Sequence, residues 1–275
     1  MKQRLLVAAI GVPLLIVVLV ILPPVAAWIL TAAIAAAAAW ELLHTAGKHV
    51  TPLVYALTML MAVLTVAYIS MDVWWTAVGD RLYFACAYVF VAALFLIAVV
   101  THGKETALPF ATVAVCIVGG LLFPAMYSCI ALLRNVSPAF VLMPFVIAFI
   151  GDSFSMLGGM AFGHKKFAPH VSPNKTWAGF LAGPVGSAAG MVLLGLVAKL
   201  VWQMELPLWF LAVIGVVANL FGQLGDLSTS LIKREAGIKD YSHIFLTHGG
   251  VLDRFDSTLF IAPVVYAMLF VLEKL

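Results

Sequence analysis

The sequence predicts an all-α, polytopic integral membrane protein with about nine transmembrane helices and a cytoplasmic N-terminus. Composition is the first ground: 64% of the 275 residues are hydrophobic and only 10% are charged, with a mean hydropathy of +1.13, which excludes an ordinary soluble domain. The second is length, because the apolar residues fall in runs of about 17 to 25, enough to cross the hydrocarbon core as helices. The third is the placement of Lys and Arg. With the N-terminus inside, Lys2, Arg4, Lys48, Lys104, Lys165, Lys166, Lys175, Lys233, Arg234, Lys239 and Arg254 lie on the inner side, against Arg81, Arg134, Lys199 and Lys274 outside. That is the bias expected of cytoplasmic loops.

Punctuation by Pro, Gly and charge divides the chain into spans at roughly 5–22, 25–43, 53–71, 82–100, 108–133, 138–160, 177–201, 207–224 and 257–273. The first run is longer than the apolar region of a signal peptide and a second follows at once, so it reads as a retained span. The run Ala35 to Ala39 in the second allows close helix approach. Trp74 and Trp75, beside Asp72, have the character of an interfacial aromatic belt. In the fifth span Gly119, Gly120 and Pro124 mark a place where the helix can break or kink. Cys86, Cys116 and Cys129 sit in apolar runs without a CxxC pair and read as packing thiols. In the seventh span Gly179, Gly183, Gly186 and Gly190 form one bare helix face, which is architecture.

Chemistry is legible only in the second part of the chain. Residues 1–135 form an N-terminal transmembrane bundle without legible chemistry, and 136–275 form the candidate catalytic region, with cytoplasmic loops at 161–176 and 225–256. The stretch Gly225 to Ser257 holds nine of the 27 formal charges: Asp226, Lys233, Arg234, Glu235, Lys239, Asp240, Asp253, Arg254 and Asp256. A charge run is usually a solvated loop, but carboxylates interleaved with Lys and Arg also suit a place where a divalent metal and polyphosphate meet. Asn219, Gln223, Asp226, Ser230 and Lys233 recur at helical steps, forming a polar stripe that should line a polar cavity. Asp152 lies inside an apolar span, where a carboxylate is costly unless paired, metal-bound or facing water; it is placed to face Asp226. Lys175, between a Ser-Pro turn and a helix start in Ser172-Pro173-Asn174-Lys175-Thr176-Trp177, could meet a phosphate together with free backbone N–H groups. Gly249 and Gly250 allow close backbone approach to a ligand, and Asp253 and Asp256 share a face one turn apart. His248 has three readings: general base, phosphate donor or loop-ordering residue.

The pattern S-x-x-K-R-x4-K-D-x7-H-G-G-x-x-D-R-x-D, from Ser230 to Asp256, closely resembles the signature of the phosphatidate cytidylyltransferase (CDP-diacylglycerol synthase) family. The Ser172 to Trp177 stretch and Asp152 match as well, so the resemblance covers residues 145 to 260, and the first half only in hydropathy. It implies condensation of CTP with phosphatidic acid to CDP-diacylglycerol and pyrophosphate, dependent on Mg²⁺ with a monovalent cation such as K⁺. It implies metal held by Asp226, Asp253 and Asp152, with catalytic roles for Lys233, Arg234, His248 and Asp256. Substrate contacts would come from Ser172, Asn174, Lys175, Thr176, Ser230, Lys239, Gly249, Gly250 and Arg254. The chain departs from the family pattern at Ala178 and Thr229, where a Glu is usual, and at Leu246-Thr247, where Pro-Gly is usual.

The expected setting is the cell (inner or plasma) membrane with the site facing the cytoplasm; a homodimer stays open. The net charge of +3 gives no ground for nucleic-acid binding. Rival readings are a CDP-archaeol-type synthase or polyprenol kinase, a non-catalytic family member, and a transporter. The key charges cluster on one membrane face without an inverted repeat of broken spans, which disfavours transport. The D-G-x2-A-R motif of CDP-alcohol phosphotransferases is absent.

Overall fold

A computed structural model describes residue 11 and residues 13–71, 77–244 and 249–272. Eight helices in it are long and apolar enough to cross a membrane. They are α1 (Pro24–Ala46), α2 (Pro52–Ser70), α3 (Ala77–Thr101), α4 (Phe110–Val136), α5 (Pro138–Phe162), α6 (Trp177–Trp202), α7 (Leu208–Glu235) and α8 (Leu252–Leu272). The chain is thus an all-α multi-pass membrane protein with eight candidate spans among the described residues, against about nine expected. The expected first span, 5–22, falls largely outside them; its described part ends in a π-helical turn at Val17–Ile21. Asp72, Trp74 and Trp75 also lie outside the described residues, as do Lys2, Arg4 and Lys274.

Several starts are set by local chemistry. Proline opens α1, α2 and α5, where its missing N–H costs nothing. The hydroxyls of Thr51 and Ser137 accept from Val54 N (3.4 Å) and Ala139 N (3.2 Å), each satisfying a donor that the first turn leaves free. Helix α4 neither breaks nor stops at its glycines. It runs through a π-helical turn at Val118–Leu122 just before Pro124, which accommodates a residue that cannot donate. The Gly120 carbonyl accepts from the Thr65 hydroxyl of α2 at 3.1 Å.

Two boundaries differ from the sequence reading in a way that matters. Helix α7 continues past residue 224 to Glu235, and α8 begins at Leu252 instead of 257. The helices thus take up both ends of the expected loop 225–256, and the polar stripe remains helical throughout. In addition, within the expected loop 161–176, residues 166–176 fold into a hairpin, β1 (Lys166–Ala168) antiparallel to β2 (Ser172–Thr176), with Lys166 opposite Thr176 and Ala168 opposite Ser172. Trp177 and Phe180 of α6 pack on Phe167 of β1, with ring centroids 4.7 and 4.4 Å away. The hairpin is thereby fixed to the end of the bundle.

The bare face of α6 lies against α5. A Cβ at Gly179 would strike the Ser155 carbonyl, one at Gly186 the Phe154 ring and one at Gly190 Ile150. Without side chains there the two backbones approach closely, the usual device where lipid supplies no hydrophobic driving force. One core runs from Leu19 and Ile34 through Tyr127 and Phe145 to Leu259 and Leu269, so helices from both halves share it. A smaller core joins Leu43, Val54, Phe90, Leu94 and Val113. All three cysteines are free.

Candidate active site

The stripe on α7 is turned inward, as an apolar helix requires of its polar residues. Asn219, Gln223, Ser230 and Lys233 are all buried. Gln223 donates to Asn219 Oδ1 (2.8 Å) and to the Phe180 carbonyl of α6 (3.0 Å). One helical step on, Asp226 forms an ion pair with Lys175 of β2. Near the end of α7, Lys233 Nζ donates to Asp253 Oδ1 of α8 at 2.7 Å, both side chains being almost wholly buried.

Asp253 is saturated by this environment. Its second oxygen accepts from Tyr241 N (2.8 Å) and Gly250 N (2.9 Å). Tyr241 closes the group: its ring lies 5.4 Å from Lys233 Nζ, in cation–π range, and its hydroxyl donates to the Thr229 carbonyl at 3.0 Å. Burial, and then the negative charge of Asp253, raise the Tyr241 phenol far above its ordinary range, so it stays protonated.

Three carboxylates from different helices lie within electrostatic range: the charge of Asp226 acts on Asp152 of α5 and on Asp256 of α8, and that of Asp152 acts on Asp256. Lys175 and Arg254 oppose the charge on Asp152. Asp256 accepts from Ser257 N at 2.7 Å and lies within 3.5 Å of the Thr229 hydroxyl. Thr229, where the family usually has Glu, is thus fully buried between α7 and α8, also donating to helix carbonyls of its own turn.

Beside this cluster a cavity of about 430 Å³ opens between α5, the hairpin and α6. Asp152, Asn174, Lys175 and Gln223 supply polar lining, and Met156, Met160 and Phe167 an apolar lip. Met156 and Met160 are exposed on the outside of α5, where lipid would lie. The hydroxyl of Ser155, also in the wall, is buried without a hydrogen-bond partner among the described residues.

The structure therefore brings together Asp152, Lys175 and Asp226, with Asp256 acting on that group, and it pairs Lys233 with Asp253 alongside. Arg254 and Lys239 are exposed, and the charge of Arg254 reaches Asp152. Arg234 is tied to backbone, donating to the Val171 carbonyl (3.3 Å) and the Ile238 carbonyl (3.1 Å), so it fastens the hairpin to the loop. Residues 172–176 form a strand and not a turn; Thr176 caps α6 by accepting from Gly179 N at 3.2 Å. Ser172 is half-buried in the same strand, and Gly249 and Gly250 are buried at the approach to α8. His248, Leu246 and Thr247 lie outside the described residues.

Sequence reasoning missed Glu41 of α1. It is fully buried and accepts from Val251 N (2.8 Å), Leu252 N (2.7 Å) and the Ser242 hydroxyl (2.5 Å). The signal was there, because a single carboxylate in an apolar span asks the same question as Asp152.

A carboxylate-rich site of this kind offers hard oxygen ligands suited to Mg²⁺. Among the described residues no three His, Cys, Asp or Glu side chains meet as a ready-made metal cage, so the expected trio of Asp152, Asp226 and Asp253 is not assembled: Asp253 is taken up by Lys233.

Comparison with known proteins adds an independent line. The model of the cytidylyltransferase family matches residues 2–272. Over 136 residues the chain is 37% identical to a phosphatidate cytidylyltransferase of Staphylococcus epidermidis, covering 50% of this chain and 51% of that protein. Over 124 residues it is 40% identical to that of Bacillus subtilis, covering 45% of each. A Rickettsia felis protein of the same name is 33% identical over 165 residues, 57% of this chain and 71% of the relative. The chain spans about half the length of the first two relatives.

Proposed function

The chain belongs to the cytidylyltransferase family, and from that premise we propose that it transfers the cytidylyl group of CTP to phosphatidic acid, giving CDP-diacylglycerol and pyrophosphate. In this reading a lipid phosphate oxygen attacks the α-phosphorus of CTP, and the bond from that phosphorus to the bridging oxygen of the leaving pyrophosphate breaks. The observation that carries the proposal is the meeting of Asp152, Lys175 and Asp226 beside a cavity with a polar wall and an apolar lip. Such a cavity suits a phosphate headgroup whose acyl chains stay in the bilayer.

The approach of two anions needs positive charge held in place, so catalysis here is positioning and electrostatics. Lys175 lines the cavity and would meet the phosphate there. Arg254 and Lys239, both exposed, would take the outer phosphates. Lys233, paired with Asp253, fixes the start of α8 against α7. Asp226 and Asp152 would hold Mg²⁺, with Lys175 passing from Asp226 to the phosphate, and Asp253 could join them only by releasing Lys233. Bound there, Mg²⁺ would neutralise charge on the polyphosphate. A phosphate dianion is already a competent nucleophile, so no activated Ser or Cys is required. In this reading the site faces the cytoplasm, where CTP is available.

Purified protein in lipid nanodiscs, given labelled CTP and phosphatidic acid, is expected to form a labelled chloroform-soluble product that requires Mg²⁺. A preparation that binds CTP and forms no such product with any lipid phosphate would contradict the proposal and favour a non-catalytic role.

A further inference from the structure

Glu41 belongs to the half of the chain whose sequence shows no chemistry, yet its carboxylate is among the most completely enclosed polar groups of the protein. A carboxylate removed from water is costly unless it is paired or fully hydrogen-bonded. Among the described residues no Lys, Arg or His forms an ion pair with it. Its compensation comes from donors more than 200 positions along the chain: Oε1 accepts from Val251 N and the Ser242 hydroxyl, and Oε2 from Leu252 N.

Those donors define the start of α8. The Val251 carbonyl receives the first helical bonds, from Arg254 N (3.0 Å) and Phe255 N (3.1 Å), so the Val251 and Leu252 amides are among the donors a first turn leaves unsatisfied. The preceding amide, Gly250 N, goes to Asp253. Three successive amides are thus divided between Asp253 and Glu41, and the negative charge of Glu41 lies at the positive end of the helix dipole. A Cβ at residue 250 would overlap the Glu41 carboxylate, so a glycine there is what allows the close approach.

We infer that Glu41 is a positioning residue for the transfer reaction, a helix cap supplied by α1 that fixes where α8 begins. This inference rests on the proposed reaction. A cap serving stability alone could be a local Ser or Asp, the ordinary solution at a helix start. A cap on another helix also fixes the rotation and height of α8 against the bundle. That fixes Asp253 against Lys233, and Asp256, one turn later, against Asp226. The same carboxylate holds Ser242, so the chain beyond α7 is tied at that residue to the same point.

The test is Glu41→Gln in nanodiscs, with Glu41→Asp and Ser242→Ala beside it. An amide presents an NH₂ to at least one of three donors, so one tie is lost at nearly constant volume. Turnover is expected to fall about tenfold to a hundredfold, the cost of slight misplacement of reacting groups, with KM for CTP little changed. Amide hydrogen exchange over 249–256 is expected to rise about tenfold, in keeping with loss of a hydrogen bond to a charged group, while α6 exchanges as before. Glu41→Asp should recover part of both. Wild-type turnover and exchange in Glu41→Gln would overturn the inference, as would a loss that tracks general melting with exchange raised throughout the bundle. Should Glu41→Gln not fold, Ser242→Ala decides by the same local rise in exchange or its absence. If the wild type makes no lipid product, the proposed reaction fails, and the exchange comparison alone decides whether Glu41 fixes the start of α8.

Discussion

Asp226→Asn is expected to lower turnover by about 10²–10³-fold, the usual cost of removing one group that stabilises charge in a transition state, while the protein remains folded. The substitution keeps the shape of the side chain and removes its charge. Asp226 is where charge from four elements meets: it pairs with Lys175 of the hairpin and acts on Asp152 of α5 and Asp256 of α8. It is only partly buried, so an amide there carries little folding penalty. Helical content and the detergent melting curve should therefore match wild type, and the loss should appear in turnover. Near-wild-type turnover in Asp226→Asn would remove Asp226 from the proposed site.

The second large effect concerns folding as well as activity. Asp253→Ala strands the Lys233 ammonium in a site where both partners are almost wholly buried, and removing one member of a buried pair costs about 3–5 kcal/mol. It also frees the amides of Tyr241 and Gly250. The variant should be inactive and markedly less stable. Combining it with Lys233→Met removes the stranded charge, so the double variant is expected to melt higher than Asp253→Ala while staying inactive. If instead the destabilisations of the two single variants simply add, Lys233 and Asp253 are not energetically coupled.

How much of this could be read beforehand follows from where the information sits. The stripe Asn219, Gln223, Asp226, Ser230 and Lys233 was legible because its spacing matches a helix, and the structure turns it into the seam between α6, α7 and α8. That spacing also implied that α7 continues through residue 233. The hydropathy boundary at 224 obscured this, because hydropathy marks where lipid ends and not where a helix ends. The hairpin at 166–176 was missed because its second strand, Ser172 to Thr176, contains a Pro and an Asn and reads locally as a turn; packing of Phe167 on Trp177 and Phe180 stabilises it. Glu41 stands out in sequence as a lone carboxylate in an apolar span, but its partners, being remote in sequence, are not legible there. No local pattern around Trp40-Glu41-Leu42 points to Ser242 or Leu252. The pairing of Asp253 with Lys233 is likewise tertiary, since each residue alone resembles any other charge in the run.

The most direct test of the central claim follows the phosphorus atoms of CTP. Protein in nanodiscs containing phosphatidic acid is given CTP labelled at the α-phosphate in one reaction and at the γ-phosphate in another. The α-label is expected to enter the lipid while the γ-label leaves as soluble pyrophosphate. Transfer of γ-label to the lipid would instead show kinase chemistry and contradict that claim.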